Sequence, residues 1–185
     1  DAGATHWRYD HAGNMIAIAT QRQIDSGTQT NYEYDYNRLK AVHYPLHPQL
    51  DVTYEYDSIG RLAKRQDLIG CETLKYDALG NISVSDKLLV IPTDNNAYRF
   101  KTQFEYDAFG RMINIIYPDG EQVNYKYFDG KLHRTVSIDE DQIVSHYYIK
   151  EIEYDANNNR KTFTSGNGYT TEYTYDENRY WLVNQ

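Results

Sequence analysis

A Tyr-Asp pair returns along the whole chain, with its tyrosine at Tyr9, Tyr34, Tyr56, Tyr76, Tyr106, Tyr154 and Tyr175. A degenerate copy stands at Tyr127, where Phe128 precedes Asp129-Gly130. The eight tyrosines are 25, 22, 20, 30, 21, 27 and 21 residues apart, a period that selects a repeat architecture before any other fold. Two residues before each tyrosine lies an aromatic or aliphatic side chain: Trp7, Tyr32, Tyr54, Leu74, Phe104, Tyr125, Ile152 and Tyr173. A period of two puts both members on one face of a strand.

Turn chemistry comes directly after the pair. Asp10, Asp57, Asp77 and Asp107 are followed three residues later by Gly13, Gly60, Gly80 and Gly110. Asp155 has Asn158 in that slot, the next best residue for a left-handed backbone. Asp at the first position and Gly at the fourth suit a type I turn closed by a left-handed residue, a common hairpin connection with a bulge. Asp35 and Asp176 have one residue fewer before Arg38 and Arg179, which predicts turns of another build. Tyr117-Pro118-Asp119-Gly120 reads as a second, looser turn, and Gly166-Asn167-Gly168 as a hairpin turn without the strand-to-helix context of a phosphate loop. Helical spacing is not sustained beyond about two turns anywhere. Two stretches depart from the pattern. Leu88 to Pro92 reads as a short apolar strand followed by a loop over Thr93–Asn96, and His43 to Pro48 is irregular because two prolines remove ladder donors.

Composition decides how such strands can be held. Leu, Ile, Val and Phe together make up only about a fifth of the chain, near the level of disordered segments. Twenty tyrosines compensate, since each buries a large ring while its hydroxyl keeps a partner. The expectation is an all-β array of antiparallel hairpins, one per repeat, in a single twisted and curved sheet with a thin aromatic core. Tyr34, Tyr56, Tyr76 and Tyr106 are expected to stack into a ladder across strands. A net charge of −8 argues against nucleic-acid partners, and no apolar run is long enough for a membrane helix. The single Cys71 cannot form an internal disulfide and has no basic neighbour to activate its thiol.

YEYDSIGRL, LKYDALGNI, FEYDAFGRM with YPDG, and YTYDENR resemble the YD repeats of Rhs proteins, and are similar to repeats in the B and C components of Tc toxins and in teneurins. The resemblance runs from Trp7 to Arg179. It implies hairpins wound into a partial spiral shell or open barrel. The chain, residues 1–185, would be a single array of about eight repeats and a fragment of something longer, secreted or at the cell surface. It would enclose or present another domain, such as a C-terminal toxin. No Asp-Pro occurs, so the closing segment that resembles an aspartic protease is not implied, and neither self-cleavage nor a toxin is assigned.

No catalytic, cofactor or metal residue is proposed from the sequence. Seven equivalent aspartates are a periodic scaffold feature rather than a singular active site, their role being to accept backbone N–H groups in turns. Arg61 and Arg111 are expected to pair with carboxylates of a neighbouring hairpin. His43 and His47 have metal-like i, i+4 spacing, but Pro45 between them removes the helix this requires. The repeat motif residues Tyr9, Asp10, Gly13, Tyr34, Asp35, Arg38, Tyr56, Asp57, Gly60, Arg61, Tyr76, Asp77, Gly80, Tyr106, Asp107, Gly110, Arg111, Tyr127, Tyr154, Asp155, Asn158, Tyr175 and Asp176 are thus structural candidates. The other reading is a carbohydrate-binding or adhesion module in which exposed tyrosines stack on a glycan. Expected partners are flanking repeats and the attached domain, with a second copy pairing through open edge strands as a further candidate.

Overall fold

The computed structural model describes residues 3–91, 96–139 and 141–185. Strands occupy almost every segment between turn signals: β1 Thr5–Tyr9, β2 Met15–Thr20, β3 Thr30–Asp35, β4 Arg38–His43, β5 Val52–Tyr56, β6 Leu62–Asp67, β7 Gly70–Tyr76, β8 Ile82–Val90 and β9 Ala97–Tyr106. They continue as β10 Met112–Ile116, β11 Gln122–Phe128, β12 Lys131–Ile138, β13 Val144–Tyr154, β14 Arg160–Ser165 and β15 Thr170–Glu172. These fifteen form one sheet in sequence order, with β1 and β15 at its two ends. The last pair, β16 Thr174–Tyr175 and β17 Leu182–Asn184, is a separate hairpin. Consecutive pairing of this kind is antiparallel and needs only short connections. The all-β hairpin array expected from the repeats is the architecture observed.

By compactness the chain divides into two units, Asp1–Lys75 with Val84–Lys101 and Tyr76–Ser83 with Thr102–Gln185. In the first, Ala17, Ala41, Val42 and Val52 are buried, with Val42 opposite Val52 across β4 and β5. In the second, the buried set is Ile115, Val123, Val136, Ile138 and Ile152, with Ile115 opposite Val123. Each core is thin, and half-buried tyrosines widen it. Along β3, β5 and β9 the pairs Tyr32/Tyr34, Tyr54/Tyr56 and Phe104/Tyr106 are half-buried, while Glu33, Glu55 and Glu105 between them are exposed. That is the alternation of a sheet packed on one face.

The turn at each Tyr-Asp pair is built as the residues dictate. Gly13, Gly60, Gly80 and Gly110 have φ of 87°, 90°, 93° and 74°, and Asn158 takes 68° in the same place. In each, the fourth residue's N–H donates to the carbonyl of the Asp, and the Asp N–H donates to the carbonyl of the residue after the turn. The partner register slips by one beside the turn, as at Glu55/Tyr56, which is the bulge.

Three departures from the sequence reading have local causes. Tyr117–Gly120 is not a looser turn: Gly120 has φ 93° and makes the same two backbone bonds, because Pro118 presets the first turn residue. A short helix, α1 Gln21–Asp25, interrupts the strands where Thr20 and Gln23 are spaced as a capping box; Gln23 Oε1 accepts the Thr20 N–H at 3.0 Å. The apolar strand expected from Leu88 begins earlier, at Ile82, since Ser83 and Ser85 are tolerated where a strand is half-exposed. Pro92 and the loop residues Thr93, Asp94 and Asn95 lie outside the described residues. The proline-rich stretch after β4 leaves the sheet as expected, with one 3-10 turn at Pro48–Leu50.

Candidate functional site

The recurrent feature of the molecule is a carboxylate clamp. In the turn beginning at Asp57, Oδ1 accepts the N–H of Ile59 at 3.1 Å and of Arg61 at 2.8 Å, while Oδ2 accepts the Arg61 guanidinium at 2.7 Å. Asp107 repeats this with Phe109 and Arg111. Asp10, Asp77 and Asp155 repeat it with Asn14, Asn81 and Asn159, whose side-chain amides replace the guanidinium. The hairpin brings the residue after the left-handed position back beside the Asp, so these partners meet by construction. Arg61 and Arg111 therefore pair with the aspartate of their own turn, where a carboxylate of a neighbouring hairpin was expected.

The clamp holds these carboxylates in the charged state. At Asp10 and Asp77 the neighbouring asparagine amide is the chief cause, and at Asp57 it is the Arg61 backbone N–H; all three sit below the usual carboxylate range. At Asp107 and Asp155 desolvation pushes upward, but the hydrogen bonds from Arg111 and Asn159 outweigh it. A low, fully committed carboxylate is suited to tying a loop and poorly suited to taking a proton from a substrate.

The two shorter motifs do turn differently. Asp35 pairs directly with Arg38 across a two-residue turn in which Tyr36 takes φ 54°, and the side chains meet at 2.9 Å. Asp176 Oδ1 accepts the N–H groups of Asn178 and Arg179, and Tyr180 supplies the positive φ. At the degenerate copy Phe128 pairs with Lys131, and both Asp129 and Gly130 have positive φ, the signature of a type I′ turn. Two further clamp-like turns carry no Tyr-Asp signature. Asp139 Oδ1 accepts the N–H groups of Asp141 and Ile143, with Gln142 left-handed; Ser165 opens the turn closed by Gly168. The sequence signal for the first is no more than an Asp at the head of the short acidic run Asp139-Glu140-Asp141, between two β-prone runs.

Four of the repeat tyrosines join successive hairpins through their hydroxyls. Tyr34 donates its hydroxyl to the Met15 carbonyl, Tyr56 to Leu39, Tyr127 to Met112 and Tyr154 to Leu132, at 2.8–3.1 Å. Each acceptor is the apolar residue just after the preceding hairpin's turn. The ring faces are meanwhile covered by basic residues, Arg38 over Tyr56, Arg111 over Tyr127 and Lys131 over Tyr154. Of the four tyrosines expected to stack as a ladder, Tyr34 and Tyr56 thus bond backbone carbonyls of the preceding hairpin, Tyr56 beneath the Arg38 guanidinium. Desolvation raises the Tyr127 phenol above its ordinary range, so it remains a donor. Tyr127→Phe should lower stability by about 0.5–1.5 kcal/mol, read by urea denaturation at neutral pH.

Elsewhere His43 lies between two carboxylates, with Nδ1 2.7 Å from Asp51 and Nε2 3.4 Å from Glu33. Asp51 also accepts the Tyr44 N–H, so the pair pins the loop after β4. Among the described residues no group of three or more His, Cys, Asp or Glu side chains is placed to hold a metal ion, and no helix is long and apolar enough to cross a membrane. Cys71 is half-buried and forms no disulfide.

Neither a protein-family model nor a curated protein matches the sequence. Solved structures do match. The crystal structures of TcdB2-TccC3-Cdc42 and of TcdB2-TccC3 align over 99% of this chain with TM-score 0.80 and 19% identity. The fold is that of a part of TcdB2-TccC3. The Photorhabdus luminescens Tc holotoxin pore carrying TccC3-D651A aligns equally completely, at TM-score 0.79 and 19% identity. At that identity the likeness is one of fold. This chain covers 10% of the TcdB2-TccC3 chain.

Proposed function

We propose that residues 1–185 are one array of about eight YD repeats belonging to a longer, secreted or surface-exposed bacterial protein. Its task is mechanical. It is a non-enzymatic stretch of wall that encloses or presents another domain, such as a C-terminal toxin. The observation that carries this reading is the repetition itself: one clamp in turn after turn, and one hydroxyl-to-carbonyl bond from hairpin to hairpin. A reaction needs one place that differs from the rest, and the repeated aspartates offer none.

Exposure supports flanking repeats as partners. Ile59, Leu79 and Phe109 occupy the equivalent tip position of successive clamp turns and are all exposed, Phe109 at 83%. Apolar side chains at turn tips are an arrangement that further protein would cover.

The test is limited proteolysis of the full-length product. An attached domain should resist protease in the intact protein and become sensitive when a wall glycine such as Gly110 is replaced by valine. Equal sensitivity before and after would overturn enclosure. Turnover of any substrate that is lost in one clamp-Asp variant but retained in its equivalents would overturn the non-enzymatic reading. The second reading, a carbohydrate-binding module, loses the repeat tyrosines as its binding face, because Tyr56, Tyr127 and Tyr154 are roofed and their hydroxyls committed. What favours it is a cleft that Tyr154 borders but that is lined mainly by residues outside the repeat motif.

A further inference from the structure

A half-open cleft of about 380 Å³ lies on the second unit where β12, β13 and β14 meet the Phe128–Lys131 turn. Its volume is within the roughly 300–1,000 Å³ of small-molecule clefts. Phe128 forms one wall, 74% exposed, with its ring centroid 6.0 Å from that of His133. His133 is oriented by Nδ1, which donates to the Ile152 carbonyl at 3.4 Å. Its Nε2 then faces Glu151 Oε1 at 3.9 Å, too far for a hydrogen bond between them. Lys131 belongs to the lining and lies over the Tyr154 ring, 5.1 Å from its centroid. Lys161 also lines the cleft, and among the described residues its ammonium has no ion-pair partner.

We infer that this cleft binds a neutral saccharide unit. The lining carries carboxylates and ammoniums side by side that do not neutralise one another, so a net-charged ligand would be repelled by half of them. A polyol satisfies both, since each hydroxyl donates to Glu151 and accepts from Lys161. The exposed Phe128 face asks in addition for a flat apolar surface, which the C–H face of a pyranose supplies and an open-chain polyol does not. At 3.9 Å His133 Nε2 and Glu151 leave no room between them, but a hydroxyl set to one side can lie about 2.8 Å from both. The site is a half-open one, so the dissociation constant is expected on the order of millimolar.

Saccharide binding here is independent of the wall role, and failure of either leaves the other intact. The experiment is an amide ¹H–¹⁵N titration of the chain with methyl β-D-galactoside, then methyl β-D-N-acetylglucosaminide, with glycerol as the ringless control. Saturable shifts confined to residues 128–133, 151–154 and 161 with at least one glycoside, absent with glycerol, are expected. Phe128→Ala and Glu151→Gln should each weaken binding at least tenfold; both side chains are exposed, and unchanged shifts elsewhere will show the fold retained. No saturable shift with either glycoside, an equal response to glycerol, or unaltered affinity in Phe128→Ala would overturn it.

Discussion

Gly70→Ala should cost the fold about 3 kcal/mol or more, the upper end for overpacking a structured interior. Gly70 opens β7 with φ 152°, and a Cβ built there runs into the backbone carbonyl of Leu88 on the adjacent β8. A side-chain tip could swing aside, but a strand carbonyl cannot without breaking the ladder. Gly166, just after β14 in the second unit, meets the same kind of obstacle, its Cβ directed at the carbonyl of Tyr147 on β13. The proper comparison is Gly110→Ala, where φ is 74° and the nearest atom is Asn81 Oδ1 at 4.0 Å. There only the left-handed backbone resists, at about 1–2 kcal/mol. Urea denaturation of the three variants should therefore rank Gly70→Ala and Gly166→Ala well below Gly110→Ala. Equal losses at all three would mean that the close strand approaches relax.

That ranking could not be read from the sequence, and the reason separates what was legible from what was not. Gly110 was legible because its role is local: Asp107 four positions before Arg111 specifies the turn, and the turn specifies the φ. The strands and their inward faces were legible for the same reason, since Tyr54/Tyr56 and Phe104/Tyr106 mark one face at a period of two. Gly70 and Gly166 act through strands far along the chain, and the loops between hairpins vary too much to give that register. The tyrosine hydroxyls escaped likewise, because Tyr127 meets Met112 only after β10 and β11 have paired. The Arg61 and Arg111 partners were within reach of the sequence. A three-residue turn with a bulge sets its first and fifth residues side by side, and tracing that geometry through would have chosen Asp57 and Asp107 over any neighbour.

Acid should dismantle this fold through its turns. The carboxyls of Asp10, Asp57, Asp77, Asp107 and Asp155 all lie below their ordinary value. A group whose folded value is depressed contributes stability that is present above the unfolded value, about 3.9, and is lost as pH falls through the folded one. Thermal midpoints should fall steeply below about pH 4, because several equivalent clamps protonate over one window. His43 works in the opposite sense. Its hydrogen bond to Asp51, helped by Glu33, raises it against partial desolvation, so its contribution is complete below about 6.5 and disappears as pH rises through the folded value. His43→Gln should flatten the neutral-to-alkaline limb and leave the acid one standing. A triple Asp57→Asn, Asp77→Asn, Asp107→Asn variant should do the reverse, since asparagine keeps the acceptor oxygen in the turn but has no proton to gain. If the triple variant still loses stability below pH 4 as steeply as the parent, the clamps are holding their turns as neutral acceptors, and the charge on the aspartates has no part in the wall's stability.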